Sequence, residues 1–404
     1  MNPDVLIVGA GPAGAASAIA IKRAAPQAQV VLADRAEFPR DKTCGDGIGP
    51  GVVAVLNELG LPGLLSDHEP IDEVVVYGPH GASVAGPLPE IDGRRITGFV
   101  SPREVFDARL VQAASDAGVQ VVSGWRATTT ELQDNERAVE FATPTGAVTV
   151  AAPLVVGADG ASSVVRRSLG IEAPGARATG IAVRAYAPFR LPADSPLRRS
   201  LLFEFSERYL PAYAWWFPGP NDVANVGLGL PVHDLRKRRL DLRVAVKEFV
   251  ADLRSRGIDI DDPDRVRTYT LPTGASLRKL AHPHSVLVGD AAAMINPLSG
   301  EGIFYGMAAG AMLGAAYGGD GSLDDRLRTF ERAFRRRFRS HYLHNFVAQQ
   351  MLRSPRWARK GVAAAAADPR VLQDAVALMF GDGRITVRTG LRIAATRPTR
   401  TPTV

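Results

Sequence analysis

Residues 5–14 read Val-Leu-Ile-Val-Gly-Ala-Gly-Pro-Ala-Gly, and no other stretch of the chain restricts its fold so tightly. Val5-Leu6-Ile7-Val8 is a continuous apolar run of the kind found in a parallel strand buried on both faces. Gly9 to Gly14 then spell GxGxxG, Ala15 to Ala24 reads as a helix, and Val30 to Ala33 reads as a second strand that closes a βαβ unit. Glycine-rich hexapeptides occur by chance, but this one follows a buried strand and opens a helix, the context in which the spacing carries chemistry. Gly9 permits a tight turn, Gly11 lets the backbone approach a pyrophosphate, and Gly14 lets helix and strand close up. The helix start, with Ala13 just ahead of it in the turn, points N–H groups toward phosphate.

Asp34, followed by Arg35, stands 20 residues beyond Gly14 at the end of the second strand. A carboxylate there can accept both hydroxyls of a ribose and repels a 2′-phosphate, so FAD or NAD is expected rather than NADP. Two later turns favour FAD. Gly157-Ala158-Asp159-Gly160 follows the apolar run Leu154-Val155-Val156, and Gly289-Asp290 follows Val286-Leu287-Val288. The second turn leads into Asn296-Pro297-Leu298-Ser299-Gly300-Glu301-Gly302-Ile303. An aspartate at a strand end can accept a ribityl hydroxyl. A glycine-rich helix start at Gly300, Gly302 and Ile303 places N–H dipoles where a flavin gathers negative charge on reduction. A dehydrogenase needs neither turn.

At 404 residues the chain exceeds single-core size. The fold class expected is α/β: a Rossmann-type FAD-binding domain, an inserted antiparallel β-sheet that forms a substrate domain, and C-terminal helices. The FAD-binding domain is assigned to 1–70, 96–180 and 266–320, the substrate domain to 71–95 and 181–265, and the helical segment to 321–404. The inserted strands are expected at Val74–Tyr77, Val139–Thr143, Ile181–Tyr186, Leu201–Phe205 and Ala224–Gly229, where the sequence alternates. Tyr305 to Gly318 is a Gly/Ala-rich helix expected to lie on a sheet, and the tail from Thr396 to Val404 is expected to fray.

The single cysteine, Cys44, excludes an internal disulfide and fits a reducing cytosol. Met1-Asn2-Pro3-Asp4 runs straight into the first strand with no leader pattern, and no run approaches the ~18–20 apolar residues of a spanning helix. A cytoplasmic protein is expected, with peripheral contact at the inner face of the membrane left open. The net charge of +6 gathers in Arg236 to Arg239, Arg335-Arg336-Arg337 with Arg339, and Arg353 to Lys360. No aromatic platform or finger spacing accompanies it, so nucleic acid is not an expected partner. Solvated helix faces or a face for anionic lipid headgroups remain. No metal site is expected.

The three nucleotide turns, in this order, resemble the flavoproteins that include para-hydroxybenzoate hydroxylase. Within that group the chain most resembles the geranylgeranyl reductase family, over most of its length. Phe38-Pro39-Arg40-Asp41-Lys42-Thr43-Cys44-Gly45-Asp46-Gly47 carries the likeness, as does Pro211-Ala212-Tyr213-Ala214-Trp215-Trp216-Phe217-Pro218 with the strand Asn225-Val226-Gly227-Leu228-Gly229. The resemblance implies that the first segment lies beside the isoalloxazine, that the second lines a tunnel for a prenyl chain, and that Arg103 sits near the flavin. Tyr213 and Trp215, with Trp216, Phe217 and Phe205, offer aromatic surface to a developing carbocation, although neighbouring strand residues must face opposite ways. Cys44 is either a proton donor or flavin neighbour, or a small buried hydrophobe. Asp46 departs from the commonest family pattern and is expected to be a polar group of the active site.

The activity expected is hydride transfer from reduced FAD to an isoprenoid double bond of a hydrophobic substrate. The same fold supports an FAD-dependent monooxygenase of a prenylated or aromatic compound. The aromatic stretch also resembles the halogenase WxWxIP pattern, with Tyr213 for the first Trp and Phe217 for Ile. A non-catalytic lipid or flavin binder is the remaining class. There is no second GxGxxG, so NAD(P)H is expected to dock transiently, or a separate electron-donor protein to supply electrons.

Overall fold

The computed structural model describes residues 1–88, 97–273 and 279–397 throughout, and the backbone of 90–91 and 94–95. The tail expected to fray lies, from residue 398 onward, outside the described residues.

The apolar runs form the middle of a parallel sheet ordered Ser285–Leu287, Leu154–Gly157, Val5–Val8, Val30–Ala33 and Gln120–Val122. Ala281–His282 extends it with an antiparallel edge. Val5, Leu6, Ile7, Leu154, Val155 and Val156 are wholly buried, as strands covered on both faces must be. Helices α1 (Pro12–Ala24), α2 (Pro50–Glu58), α3 (Arg103–Asp116) and the short α4 (Val164–Ser168) belong to this layer.

The large second sheet contains Thr179–Arg190, Val223–Pro231, Ala214–Pro218, Ser200–Glu204, Glu73–Tyr77 and Ser83–Pro87 in that spatial order. Helices α5 (Val232–Arg238) and α6 (Leu242–Ser255) follow the strand Val223–Pro231, and α6 covers the face turned away from the parallel sheet. The sheet departs from the expectation in three ways. Ser200–Glu204 and Glu73–Tyr77 pair in parallel, so the sheet is mixed rather than antiparallel. Asp264–Pro272, whose residues from 266 onward the sequence assigns to the nucleotide domain, pairs along Thr179–Arg190 and extends the large sheet. The Val139–Thr143 stretch is part of Glu136–Thr143, the middle strand of a separate three-stranded meander that packs beside α4. Alternation reports a half-buried strand but not its partner, so all three differences lie in pairing.

Helix α7 (Ile303–Tyr317) also differs from expectation, because it packs on α1 rather than on a sheet. Gly306, Gly310, Gly314 and Gly318 recur every fourth residue on one face. A Cβ on them would lie 2.9 Å from Ala13 Cβ, 2.6 Å from Ser17 N, 2.4 Å from Ala20 Cβ and 2.8 Å from Ala24 Cβ. The contact residues advance together along both helices, so α1 and α7 run parallel and begin at the same end. Helices α8 (Leu323–Met351), α9 (Pro355–Ala367), α10 (Pro369–Phe380) and α11 (Val387–Ala395) complete the chain. Leu372, Val376 and Phe380 of α10 join the aromatic core of the large sheet. Among the described residues no helix is long and apolar enough to cross a membrane.

Candidate active site

The common start of α1 and α7 opens into one cavity, walled on its far side by the large sheet. Three turns from distant parts of the chain meet there. A Cβ on Gly9 would lie 2.4 Å from the Ala158 carbonyl oxygen and 2.9 Å from Asp159 Cα, and one on Gly289 would lie 2.9 Å from Ala13 Cβ. Gly9 (φ 103°) and Gly289 (φ 61°) also occupy the left-handed region, where glycine is unstrained. Gly14 is required by close packing, since a Cβ would meet the Gly9 carbonyl oxygen at 1.9 Å.

Gly11 differs from all of these. The atom nearest to its Cβ position is Arg40 Nη2, 3.7 Å away, so the protein's own packing leaves that space open. Helix α1 begins there with no side-chain cap and no acidic residue in its first turn. An uncapped helix start beside an unfilled glycine is what a phosphate-bearing cofactor needs. Gly300, Gly302 and Ile303 line the same cavity at the start of α7, where Glu301 Oε1 accepts from the first-turn amide of Phe304. The residues present therefore fit FAD.

The acidic residues named from sequence take several positions. Asp290 lines the cavity, and its Oδ2 accepts from Lys42 Nζ at 3.2 Å and from the Tyr269 hydroxyl at 3.0 Å. Asp159 does not present its carboxylate to the cavity, which is lined instead by Ala158 and Gly160. Its carboxylate accepts from the Ser163 hydroxyl and from the amides of Val164 and Val165, holding the start of α4. Asp34 and Arg35 are not among the residues lining this cavity. The Asp34 carboxylate accepts from Ala10 N at 2.7 Å and Ala36 N at 2.8 Å, so it already braces the turn.

Arg103 lines the cavity with its guanidinium locked to Asp107 at 2.6 and 2.7 Å; Arg40 meets the same carboxylate at 3.0 Å. Cys44 lies beside it, and burial pushes the thiol up against the opposing pull of Arg103. Trp215, Phe217, Tyr213, Phe203 and Phe380 supply an aromatic wall. Phe203 sits at its centre, 5.2 Å from Tyr213 and Phe217 and 5.5 Å from Phe380, each edge-to-face. Trp216 points the other way, against Phe189 and the α6 side, as strand alternation demands. Phe205 stacks behind Tyr213 rather than lining the cavity. Gly45 and Gly47 press on the wall, since a Cβ on either would lie 3.3 Å from the Phe217 ring.

Asp46 corrects the sequence reading. It is 1% exposed and does not line the cavity. Its Oδ2 accepts from the Tyr186 hydroxyl and from Asn225 Nδ2, both at 2.7 Å. Asn225 in turn donates to the Cys44 carbonyl at 2.8 Å and accepts from Trp215 Nε1 at 2.9 Å. Asp46 therefore braces the wall from behind, and burial pushes its carboxyl up to about 6.

Glu301 was passed over between the two glycines that flank it. It lines the cavity, its Oε1 accepts from Phe304 N at 2.7 Å, and its Oε2 is buried without a partner. Burial pushes its carboxyl up to about 8, so it holds its proton at neutral pH. A carboxylic acid between two glycines at a helix start was the readable signal.

Residues 2–339 match the family model described as FAD binding domain. The chain is 34% identical over 311 residues to the menaquinone reductase of Mycobacterium tuberculosis, covering 76% of this chain and 75% of that protein. It is 31% identical over 316 residues to the digeranylgeranylglycerophospholipid reductase of Methanocella arvoryzae, covering 77% and 76%. The solved structure of a geranylgeranyl bacteriochlorophyll reductase-like protein from Thermoplasma acidophilum shares the fold, with a TM-score of 0.80 at 23% identity over 98% of this chain and 96% of that one.

Proposed function

The chain belongs to the FAD binding domain family as a geranylgeranyl reductase-like, FAD-dependent oxidoreductase, and from that premise we propose that it saturates an isoprenoid double bond in a prenylated lipid. The observation that carries this reading is the continuous aromatic wall of Trp215, Phe217, Tyr213, Phe203 and Phe380 in the cavity that begins at α1 and α7. Bound FAD supplies the two-electron reductant. Gly11 and Ala13, on the turn that Gly9 and Gly14 shape, would hold its pyrophosphate, and Asp290, Gly300, Gly302 and Ile303 its ring end.

The chain's own residues do the rest. The wall keeps a branched hydrocarbon dry and aligned. Its ring faces attract positive charge developing on a substituted carbon, worth about 2 kcal/mol when desolvated. Glu301 donates the proton that completes saturation, and Cys44 lines the cavity beside Arg103. NAD(P)H or a separate electron-donor protein is proposed as the source of electrons.

The test separates reduction from oxygenation. Enzyme whose flavin has been reduced by dithionite, mixed without oxygen with a menaquinone bearing two isoprene units, is expected to return to the oxidised spectrum. Reoxidation that requires oxygen and yields a hydroxylated lipid contradicts the proposal and makes the chain a monooxygenase.

A peripheral place on the inner membrane face is proposed with it. Helix α11 exposes Val387 (82%) and Leu391 (66%), and α8 exposes Leu343 (60%), Phe346 and Val347. Residues 332–397 carry 13 Arg and one Lys against three Asp, so the rest of the chain is net acidic. An apolar stripe flanked by arginines suits an anionic bilayer. The inner sides of α8 and α10 contribute Gln349 and Phe380 to the cavity. The double change Val387→Asp with Leu391→Asp is expected to weaken co-sedimentation with phosphatidylglycerol vesicles at least ~tenfold, since each exposed aliphatic side chain contributes ~1.5–3 kcal/mol on burial. Undiminished co-sedimentation contradicts this placement.

A further inference from the structure

We propose that Arg184 anchors the polar head of the lipid through an oxygen acceptor, so that the cavity reads a head and a chain together. The proposal rests on the reductase reading for its lipid, and adds which end of the lipid is fixed and by what.

Arg184 lies on Thr179–Arg190, where Val183 and Ala185 face the α6 side while Ala182 and Arg184 face the cavity. Its side chain is wholly buried. Nη2 donates to Asp41 Oδ1 at 2.6 Å, and the guanidinium lies 4.2 Å from the centre of the Tyr186 ring. Asp41 is shared, because Arg267 reaches its other oxygen at 3.0 Å. The remaining Nε and Nη1 are buried with no acceptor among the described residues. Buried side-chain donors nearly always find a partner in a folded protein, so two on one guanidinium in a ligand cavity point to an acceptor brought by the ligand. An unsatisfied guanidinium selects oxygen acceptors, above all those carrying charge or strong polarity.

Its location makes this a substrate site. Arg184 stands in register with Gly227, Gly227 with Trp215, and Trp215 with Phe203 on successive strands. Gly227 has no side chain because the Trp215 ring crosses it, and a Cβ there would lie 2.3 Å from Trp215 Cζ2. The polar corner therefore abuts the aromatic wall directly, with cation at one end of the rung and hydrocarbon surface at the other. A quinone carbonyl and a lipid phosphodiester share the chemistry that Arg184 selects.

The test uses the FAD-loaded full chain and equilibrium binding read by tryptophan fluorescence. The probes are a menaquinone with two isoprene units, a diprenyl glycerophospholipid, and squalene as a chain without a head. Arg184→Met is expected to weaken the better-bound headed probe at least thirtyfold, to change squalene binding less than twofold, and to leave flavin content intact. Arg184→Lys, which keeps charge and one donor, is expected to recover part of the loss, and Arg184→Gln serves if the methionine variant does not fold. The headed probe that the wild type binds tighter identifies the head. Equal weakening of headed and headless probes, no weakening, loss of flavin, or a wild type that binds neither headed probe overturns the proposal. Arg184-dependent binding without reduction of any double bond overturns the reductase reading and leaves the head site standing.

Discussion

Gly11→Val is expected to give a folded, soluble protein that purifies without its yellow colour. The reason is the contrast among the three glycines of the first turn. A side chain on Gly9 or Gly14 would collide with backbone at 2.4 or 1.9 Å, so those positions serve the fold itself. A side chain on Gly11 meets only Arg40 Nη2 at 3.7 Å, the end of a flexible side chain. The valine would instead fill the approach to the uncapped start of α1, where backbone N–H groups and the helix dipole favour phosphate. FAD affinity is expected to fall at least ~100-fold, a loss of about 2.7 kcal/mol. Apo-protein stability is expected to stay near wild type. Flavin released per mole of protein, together with a thermal melt, reads both effects. Wild-type FAD content in the variant contradicts the placement of the pyrophosphate.

Glu301→Gln is expected to lower turnover ~100-fold or more without loss of FAD, because a positioned general acid contributes on the order of 10²–10⁴. Glutamine keeps the size of the side chain and a hydrogen-bonding head, but has no proton to give. Burial lifts the Glu301 carboxyl to about 8, which fixes the sign of the pH dependence. Wild-type turnover is expected to hold below about 8 and to fall as pH rises through it; the variant's residual rate lacks that limb. Linkage gives a second readout. A carboxyl raised in the folded state contributes stability that is fully present below its usual value of 4.5 and lost as pH rises toward about 8. The melting temperature of the glutamine variant is therefore expected to gain on wild type as pH rises through that window. Cys44→Ser is expected to cost less than ~tenfold, because the proposed mechanism gives the proton transfer to Glu301 and leaves the thiol a lining role. A large loss from Cys44→Ser with an active Glu301→Gln reverses the two roles.

The nucleotide turn was legible because its constraints are local. A glycine forced by φ or by a backbone contact, next to a strand that is apolar at every position, leaves little alternative. The aromatic wall was legible in part, since alternation along Ala214–Pro218 separates Trp215 and Phe217 from Trp216. What the sequence concealed was the direction in which polar side chains point. Asp159 follows a strand as expected, yet turns to the start of α4, a helix of 5 residues too short for periodicity to reveal. Asp46 adjoins the cavity in sequence, but a backbone at φ 60° carries its carboxylate behind the wall to Tyr186 and Asn225. Strand Asp264–Pro272 was hidden by its charged, largely exposed edge, and the parallel pairing of Ser200–Glu204 by the fact that alternation is blind to partner direction. Two further signals could have been read. The fourfold glycine spacing from Gly306 to Gly318 marks a helix that meets another helix backbone to backbone, and Glu301 is an acid enclosed by glycines at a helix start.

The product of an oxygen-free turnover bears most directly on the proposed function, in which the aromatic wall, the protonated Glu301 and the cofactor cradle act together to saturate a carbon–carbon bond. With chemically reduced enzyme and a two-isoprene menaquinone, mass spectrometry is expected to show a lipid heavier by two hydrogens, with the change in the prenyl chain. An unchanged prenyl chain, or a product that forms only when oxygen is admitted and carries an added oxygen atom, would contradict it.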